Sequence, residues 1–115
     1  MHRIRYAGNV YLADDRTAEV LLGYAHALAV RRAVDVVSLA VGEPDGRIGR
    51  ARLLVGDGIP LAIDRAPEDG PHLDGDLAEP DLEREIQRMT DGLSRLPALR
   101  PAPEEDADPT NGLFD

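Results

Sequence analysis

The chain has 115 residues, a length that predicts one domain with a single hydrophobic core. It carries 22 acidic and 13 basic residues, a formal net charge of −9 at pH 7, and no Cys. The absence of Cys excludes disulfides, thiol nucleophiles and cysteine metal sites. The net negative charge and the low aromatic content disfavour nucleic acid as a partner.

The composition also indicates where the protein works. All 13 basic residues are Arg, which together with abundant Ala, Gly and Asp is typical of a GC-rich bacterial genome. No stretch approaches the ~20 apolar residues of a membrane span, and the first six residues lack the apolar run of a signal peptide. We therefore expect a cytoplasmic protein that does not contact a membrane.

The first third of the sequence predicts a hairpin followed by a long helix. Ile4 and Tyr6 alternate with arginines, and Gly8-Asn9 can adopt the positive φ of a tight turn. Asp14 or Asp15 is then expected to cap a helix over residues 17–32, in which apolar side chains recur at helical spacing.

Three further strands are predicted at residues 34–41, 47–55 and 59–63. An EPDG turn at 43–46 and an Asp-Gly turn at 56–58 separate them, and Pro60 restricts the last strand to a sheet edge. The order ββαβββα predicts an α+β, two-layer domain. It has an antiparallel sheet of about five strands, one long helix packed on the sheet and a second, C-terminal helix.

The charge and turn residues divide the chain into four segments. Residues 1–66 are predicted to form the α+β core domain and residues 67–79 an acidic Pro/Gly linker of low structure. Residues 80–96 are predicted to form an amphipathic helix that starts at a proline, and residues 97–115 a disordered acidic tail.

The second helix carries a narrow apolar seam with two interpretations. Its residues follow the 4-3-4-3 spacing of a coiled-coil seam: Leu82, Ile86, Met89, Leu93 and Leu96. The seam can complete the core by packing on the sheet. Alternatively, it can pair with a partner helix or with a second copy of the chain, forming a homodimer through residues 82–96.

Charge is distributed unevenly along the chain. Residues 1–66 hold nine Arg and eight acidic residues, whereas residues 67–115 hold four Arg and fourteen acidic residues. Strand alternation places Arg3 and Arg5, and likewise Arg50 and Arg52, on the outer face of the sheet. This basic patch either solvates an open sheet face or binds an anion or acidic peptide, the chain's own tail included.

The acidic tail ends in an apolar pair. Phe114 is the single Phe of the sequence and follows Leu113. The pair is either a docking motif that inserts into a partner's pocket or part of a tail with no specific role.

Catalytic and metal-binding patterns find no support. His72 stands among acidic residues, but their spacing is not that of a calcium loop. His26 lacks a second ligand at helical spacing, and neither Ser38 nor Ser94 lies in a nucleophile elbow. We therefore expect no catalytic residues, no metal site and no cofactor.

These observations favour a non-enzymatic protein-interaction module, such as an adaptor, a regulator or a subunit of a bacterial complex. The second helix and the acidic tail would contact its partner. One alternative is a protein that binds a small molecule or a divalent metal. Another is an acidic inhibitor of the immunity type, which masks a basic site on its target and is steered to it by charge.

Overall fold

The computed structural model describes residues 1–68, 70 and 72–97, and these form five strands and two helices. Their bounds are β1 His2–Tyr6, β2 Asn9–Ala13, α1 Asp15–Val30, β3 Val34–Gly42, β4 Ile48–Gly56, β5 Ala62–Arg65 and α2 Pro80–Ser94. The strands form one antiparallel sheet in the order β4-β3-β2-β1-β5. The predicted α+β class and the ββαβββα order are confirmed. Neither described helix is long and apolar enough to cross a membrane.

The sheet is strongly curled. β4 and β5 are its two edge strands, yet residues 57–61 suffice to join them, and Ile59 N–H closes a turn on the Gly56 carbonyl. The edges of a flat five-stranded sheet lie about 19 Å apart, since neighbouring strands are about 4.8 Å apart. A five-residue connection that includes a turn cannot extend that far, so the sheet curves and brings its edges together. Its concave face holds α1.

The concave face supplies the core. The side chains of β3 and β4 that alternate with the outward-facing residues are buried: Val37, Leu39, Val41, Ala51, Leu53 and Val55. Ile4 of β1 and Leu21 of α1 are fully buried beside them. The outer face of the sheet, which is the face turned away from α1, carries the intervening residues.

The hairpin turn lies one residue earlier than predicted. Ala7 and Gly8 are its two central residues, with φ of 50° and 83°, and Tyr6 pairs with Asn9. Gly8 therefore occupies the second central position, where a type I′ turn most favours glycine. Strand β5 also differs from the prediction of residues 59–63, because the turn at Ile59 and the proline that follows it delay the strand to Ala62–Arg65.

Helix α1 is capped by one of the two predicted residues, and both of its ends lie two residues before the predicted 17–32. The Asp14 carboxylate accepts the backbone N–H groups of Arg16 and Thr17, so Asp14 is the N-cap. The helix stops at Val30 because Arg31 forms the C-cap and Arg32 adopts a left-handed φ of 54°.

The seam of α2 packs inside its own chain. Ile86 is fully buried, and three further seam residues are partly buried against the same core: Leu82, Met89 and Leu93. Leu96, the last residue of the predicted seam, is 53% exposed, because it lies beyond the end of the helix at Ser94. The Thr17 hydroxyl of α1 donates a hydrogen bond to the Glu83 carboxylate at 2.9 Å. Within this chain α2 completes the core, but it does so by packing on α1 and not on the sheet as predicted.

The residues between β5 and α2, here called the strap, are packed although their described residues form neither helix nor strand. Leu77 is only 2% exposed, and Leu73 lies over Leu12 and Gly42 on the outer face. Asp74 N–H donates to the Gly46 carbonyl at 3.0 Å. The predicted linker is therefore anchored to the sheet. Of the predicted tail over 97–115, all but Pro97 lies outside the described residues.

Candidate binding site on the outer face of the sheet

A pocket of about 520 Å³ opens between the outer face and the strap, and we call it the outer pocket. Its volume lies in the roughly 300–1,000 Å³ range of small-ligand pockets. Most of its lining residues are apolar or glycine: Met1, Val10, Leu12, Gly42, Pro44, Ala66, Pro67 and Gly70. Three charged residues complete it: Arg3, Arg65 and Glu68.

The strand register explains why apolar side chains lie on this face. Leu12 is opposite Arg3 and Val10 is opposite Arg5, so all four share the outer face. Leu12 is covered by the strap and is 9% exposed, whereas Val10 stays 40% exposed. The Ala66 N–H donates to the Met1 carbonyl at 2.9 Å, and this bond holds the start of the strap against β1.

The charges around the pocket are partly paired. The Arg3 guanidinium donates two hydrogen bonds to Asp64, at 3.1 and 2.9 Å, and Arg5 lies 3.7 Å from the same carboxylate. The bonds from Arg3 hold the pKa of Asp64 below its ordinary value. Arg65 makes no ion pair with any residue that the structure describes. Arg65 is opposite His2, whereas the outward-facing Arg3 is opposite Asp64, so the side chain of Arg65 starts from the other face of the sheet.

The predicted basic patch is divided into two parts. Arg50 and Arg52 lie on β4, and two strands separate them from Arg3 and Arg5 on β1. Arg50 donates to the Ser38 hydroxyl at 3.1 Å and to the Glu79 carboxylate at 3.0 Å. Arg52 is exposed. The structure therefore brings each pair together but not the four residues.

The other residues that were predicted to contact a partner form two groups with different outcomes. The seam residues Leu82, Ile86, Met89 and Leu93 contact the core of their own chain. Leu113 and Phe114 lie outside the described residues.

Several structural polar contacts were not anticipated from the sequence. The Tyr24 hydroxyl donates to Asp35 at 2.5 Å, and burial together with this carboxylate raises the pKa of Tyr24 to about 12. Arg31 donates to the carbonyls of Leu93 and Leu96, at 2.5 and 2.6 Å, and so provides hydrogen-bond donors to the carbonyls at the C-terminal end of α2. No local pattern around Arg31 indicates this contact, because Arg31 and Leu93 are 62 positions apart in the sequence.

The outer pocket itself was also missed. Its lining comes from β1, β2, the end of β3, the β3–β4 turn, the end of β5 and the strap, most of which are far apart in the sequence. Leu12 offered a weak signal, because it is an apolar residue in phase with the outward-facing Arg3 and Arg5.

The candidate catalytic and metal-binding residues stay apart. Among the described residues, no group of three or more His, Asp or Glu side chains is placed to hold a metal ion. His26 is exposed on α1, His72 is exposed on the strap, and the Ser38 hydroxyl accepts a bond from Arg50. The chemistry that the outer pocket can perform is binding, in which an apolar group lies beside a guanidinium.

We compared the chain with protein-family profiles, curated proteins and solved structures, and none of the three comparisons gave a match.

Proposed function

We propose that the protein is a non-enzymatic protein-interaction module of the cytoplasm and that the outer pocket receives a segment of its partner. The observation that carries this proposal is an open pocket outside the core whose lining is mostly apolar. The segment that fits is a short peptide with an apolar anchor side chain.

The apolar lining supports a binding role. The main core already contains the inward-facing residues of all three central strands, and Val10 lies outside it. The exposed Val10 lies beside the buried Leu12, and the strap leaves the pocket next to them open. An apolar side chain of a partner can therefore be buried there. Burial of one such side chain contributes about 1.5–3 kcal/mol.

The seam of α2 is a weaker candidate for the partner surface. Its apolar side chains are occupied by α1, so a partner that used them would first have to detach α2 from the core. The Leu113-Phe114 pair remains part of the proposal as an apolar motif that inserts into a pocket of the partner.

Two aspartate substitutions test the site. Val10→Asp places a carboxylate in the outer pocket, and Val36→Asp places one on the same face outside it, with Val36 at 52% exposure. In a cross-linking pull-down from the native cells, we expect a protein that wild type and Val36→Asp capture and Val10→Asp does not. If all three variants capture the same proteins, the outer pocket is not the partner site.

The volume of the pocket also favours a second candidate, a small-molecule-binding protein. A thermal-shift screen with metabolites and divalent metals separates the two. A ligand that raises the Tm of wild type and of Val36→Asp, but not of Val10→Asp, would assign the pocket to a small molecule.

The charge asymmetry favours a third candidate, the acidic inhibitor. Fourteen of the 22 acidic residues lie in residues 67–115. An inhibitor steered by this charge associates more slowly as salt rises. An association rate that does not change with salt would remove this candidate.

A further inference from the structure

We propose that the free edge of β4 binds an extended acidic segment of a partner protein, which adds to the sheet as a further antiparallel strand beside Arg50 and Arg52. This inference goes beyond the proposed function, because no residue of β4 lines the outer pocket. It gives a binding role to one half of the basic patch that the sequence predicted.

The backbone of β4 has hydrogen-bonding groups that face away from the sheet. Leu54 N–H donates to the Tyr6 hydroxyl beyond the edge, and residues two apart on a strand point their N–H and C=O groups in the same direction. The backbone groups of Arg52, Arg50 and Ile48 therefore face the free edge. No strand pairs with β4 on this side, and no hydrogen bond within the described part of the chain uses these N–H groups. The open edge over Ile48–Arg52 has an ordinary strand length of about five residues.

The side chains along this edge are basic. Arg50 and Arg52 are exposed on the outer face, and β4 contains no acidic residue. Arg50 pairs with Glu79 at 3.0 Å, whereas Arg52 makes no ion pair with a residue that the structure describes. On an added strand, a carboxylate directly opposite Arg52 would form a favourable cross-strand pair.

Other edges and a second copy of the chain fit less well. On the free side of β3, the N–H groups of Val36 and Ala40 already donate to carboxylates, to Asp35 at 2.8 Å and to Glu79 at 2.6 Å. These carboxylates occupy the donors and would repel an acidic segment. Two β4 edges paired in register would bring the arginines of one copy beside those of the other, which is unfavourable.

The test titrates the ¹⁵N-labelled full chain with a capped peptide, Thr-Glu-Val-Glu-Val-Glu-Thr. Paired with β4, its Glu side chains lie on the outer face and its Glu backbone N–H groups face the edge. We expect the amide signals of Arg50 and Arg52 to shift and their hydrogen exchange to slow. The Ser38 amide, on the free side of β3, should keep its exchange rate.

Two N-methylated peptides separate strand addition from attraction between charges alone. Methylation of the central Glu nitrogen removes a donor that faces β4 and should raise the Kd about tenfold. Methylation of a neighbouring Val nitrogen, which faces away from β4, should change the Kd by less than about twofold. Equal effects of the two methyl groups would overturn the inference.

Matched charge reversals test the contribution of the arginine. Arg52→Glu should raise the Kd about fivefold, because it places like charges opposite each other. Arg88→Glu makes the same change in net charge on the exposed face of α2 and should have a much smaller effect, as should Val10→Asp in the outer pocket. Equal effects of Arg52→Glu and Arg88→Glu, protection at Ser38 in place of Arg50 and Arg52, or no binding at millimolar peptide would each overturn the inference.

Discussion

The Tyr6 hydroxyl on β1 lies 3.1 Å from the backbone nitrogen of Leu54 on β4 and accepts its N–H. β1 and β4 are separated by β3 and β2 in the sheet, so this contact forms only because the sheet curls. It also satisfies a donor on the free edge of β4, where an unpaired N–H would favour pairing with another chain.

Replacement of Tyr6 by Phe is expected to lower the free energy of unfolding by about 1–2 kcal/mol, because the partly buried Leu54 N–H loses its acceptor. Tyr11→Phe is the matched control, since Tyr11 is half-buried on the same hairpin and makes no side-chain hydrogen bond with a described residue. Urea unfolding of both variants measures the difference. If both variants lost the same free energy of unfolding, the Tyr6 hydroxyl would not stabilise the curled sheet.

Ala7→Asn is expected to stabilise the protein. Ala7 has a φ of 50° at the first central position of the hairpin turn, and asparagine tolerates this left-handed conformation better than alanine. The gain should be about 0.5–1 kcal/mol, seen as a rise in Tm of a few degrees. Gly8→Ala, at φ 83° in the same turn, should act in the opposite direction. A loss of stability in Ala7→Asn would contradict the type I′ assignment.

The sequence predicted those parts of the fold that depend on local periodicity. Ile4, Leu39 and Leu53 alternate with polar residues, so their strands and inward faces followed directly. The outer pocket could not be predicted in this way, because its residues become neighbours only after the sheet has formed and curled.

The burial of residues in the strap could not be predicted from the sequence either. Leu73 and Leu77 stand in an acidic, Gly- and Pro-rich stretch with no strand or helix period, and such composition predicts low structure. Leu77 is buried, and Leu73 lies on the outer face of the sheet, where the glycine at position 42 leaves room for it. A Cβ at position 42 would lie 2.7 Å from a terminal carbon of Leu73, so that side chain would have to shift.

Alkaline pH is expected to destabilise the protein through Tyr24. Burial and the Asp35 carboxylate raise its pKa from 10.0 to about 12 in the folded state. Between these values the unfolded chain releases the phenol proton and the folded chain keeps it, so stability falls as pH rises. Tyr24→Phe lacks this proton. The difference in unfolding free energy between wild type and Tyr24→Phe should therefore narrow above pH 10, and a constant difference would contradict the raised pKa.

Glu79 joins the strap, β3 and α2, and its removal is expected to loosen all three. β2 pairs with β3 only at Leu12 and Gly42, which leaves the Ala40 N–H without a strand partner. The Glu79 carboxylate accepts that N–H at 2.6 Å and pairs with Arg50 at 3.0 Å. Glu79→Ala removes both contacts and should lower the free energy of unfolding by about 1–3 kcal/mol.

Glu79→Gln separates the two roles of this carboxylate. The amide oxygen can still accept the Ala40 N–H, whereas the charge that pairs with the exposed Arg50 is lost, and exposed ion pairs contribute only about 0–1 kcal/mol. We therefore expect Glu79→Gln to keep most of the stability and the slow hydrogen exchange of the Ala40 amide that Glu79→Ala loses. Glu85→Ala controls for the loss of an exposed acidic residue on α2. If Glu79→Gln exchanged its Ala40 amide as fast as Glu79→Ala, the ion pair with Arg50 of β4, and not the backbone contact with β3, would hold the strap to the sheet.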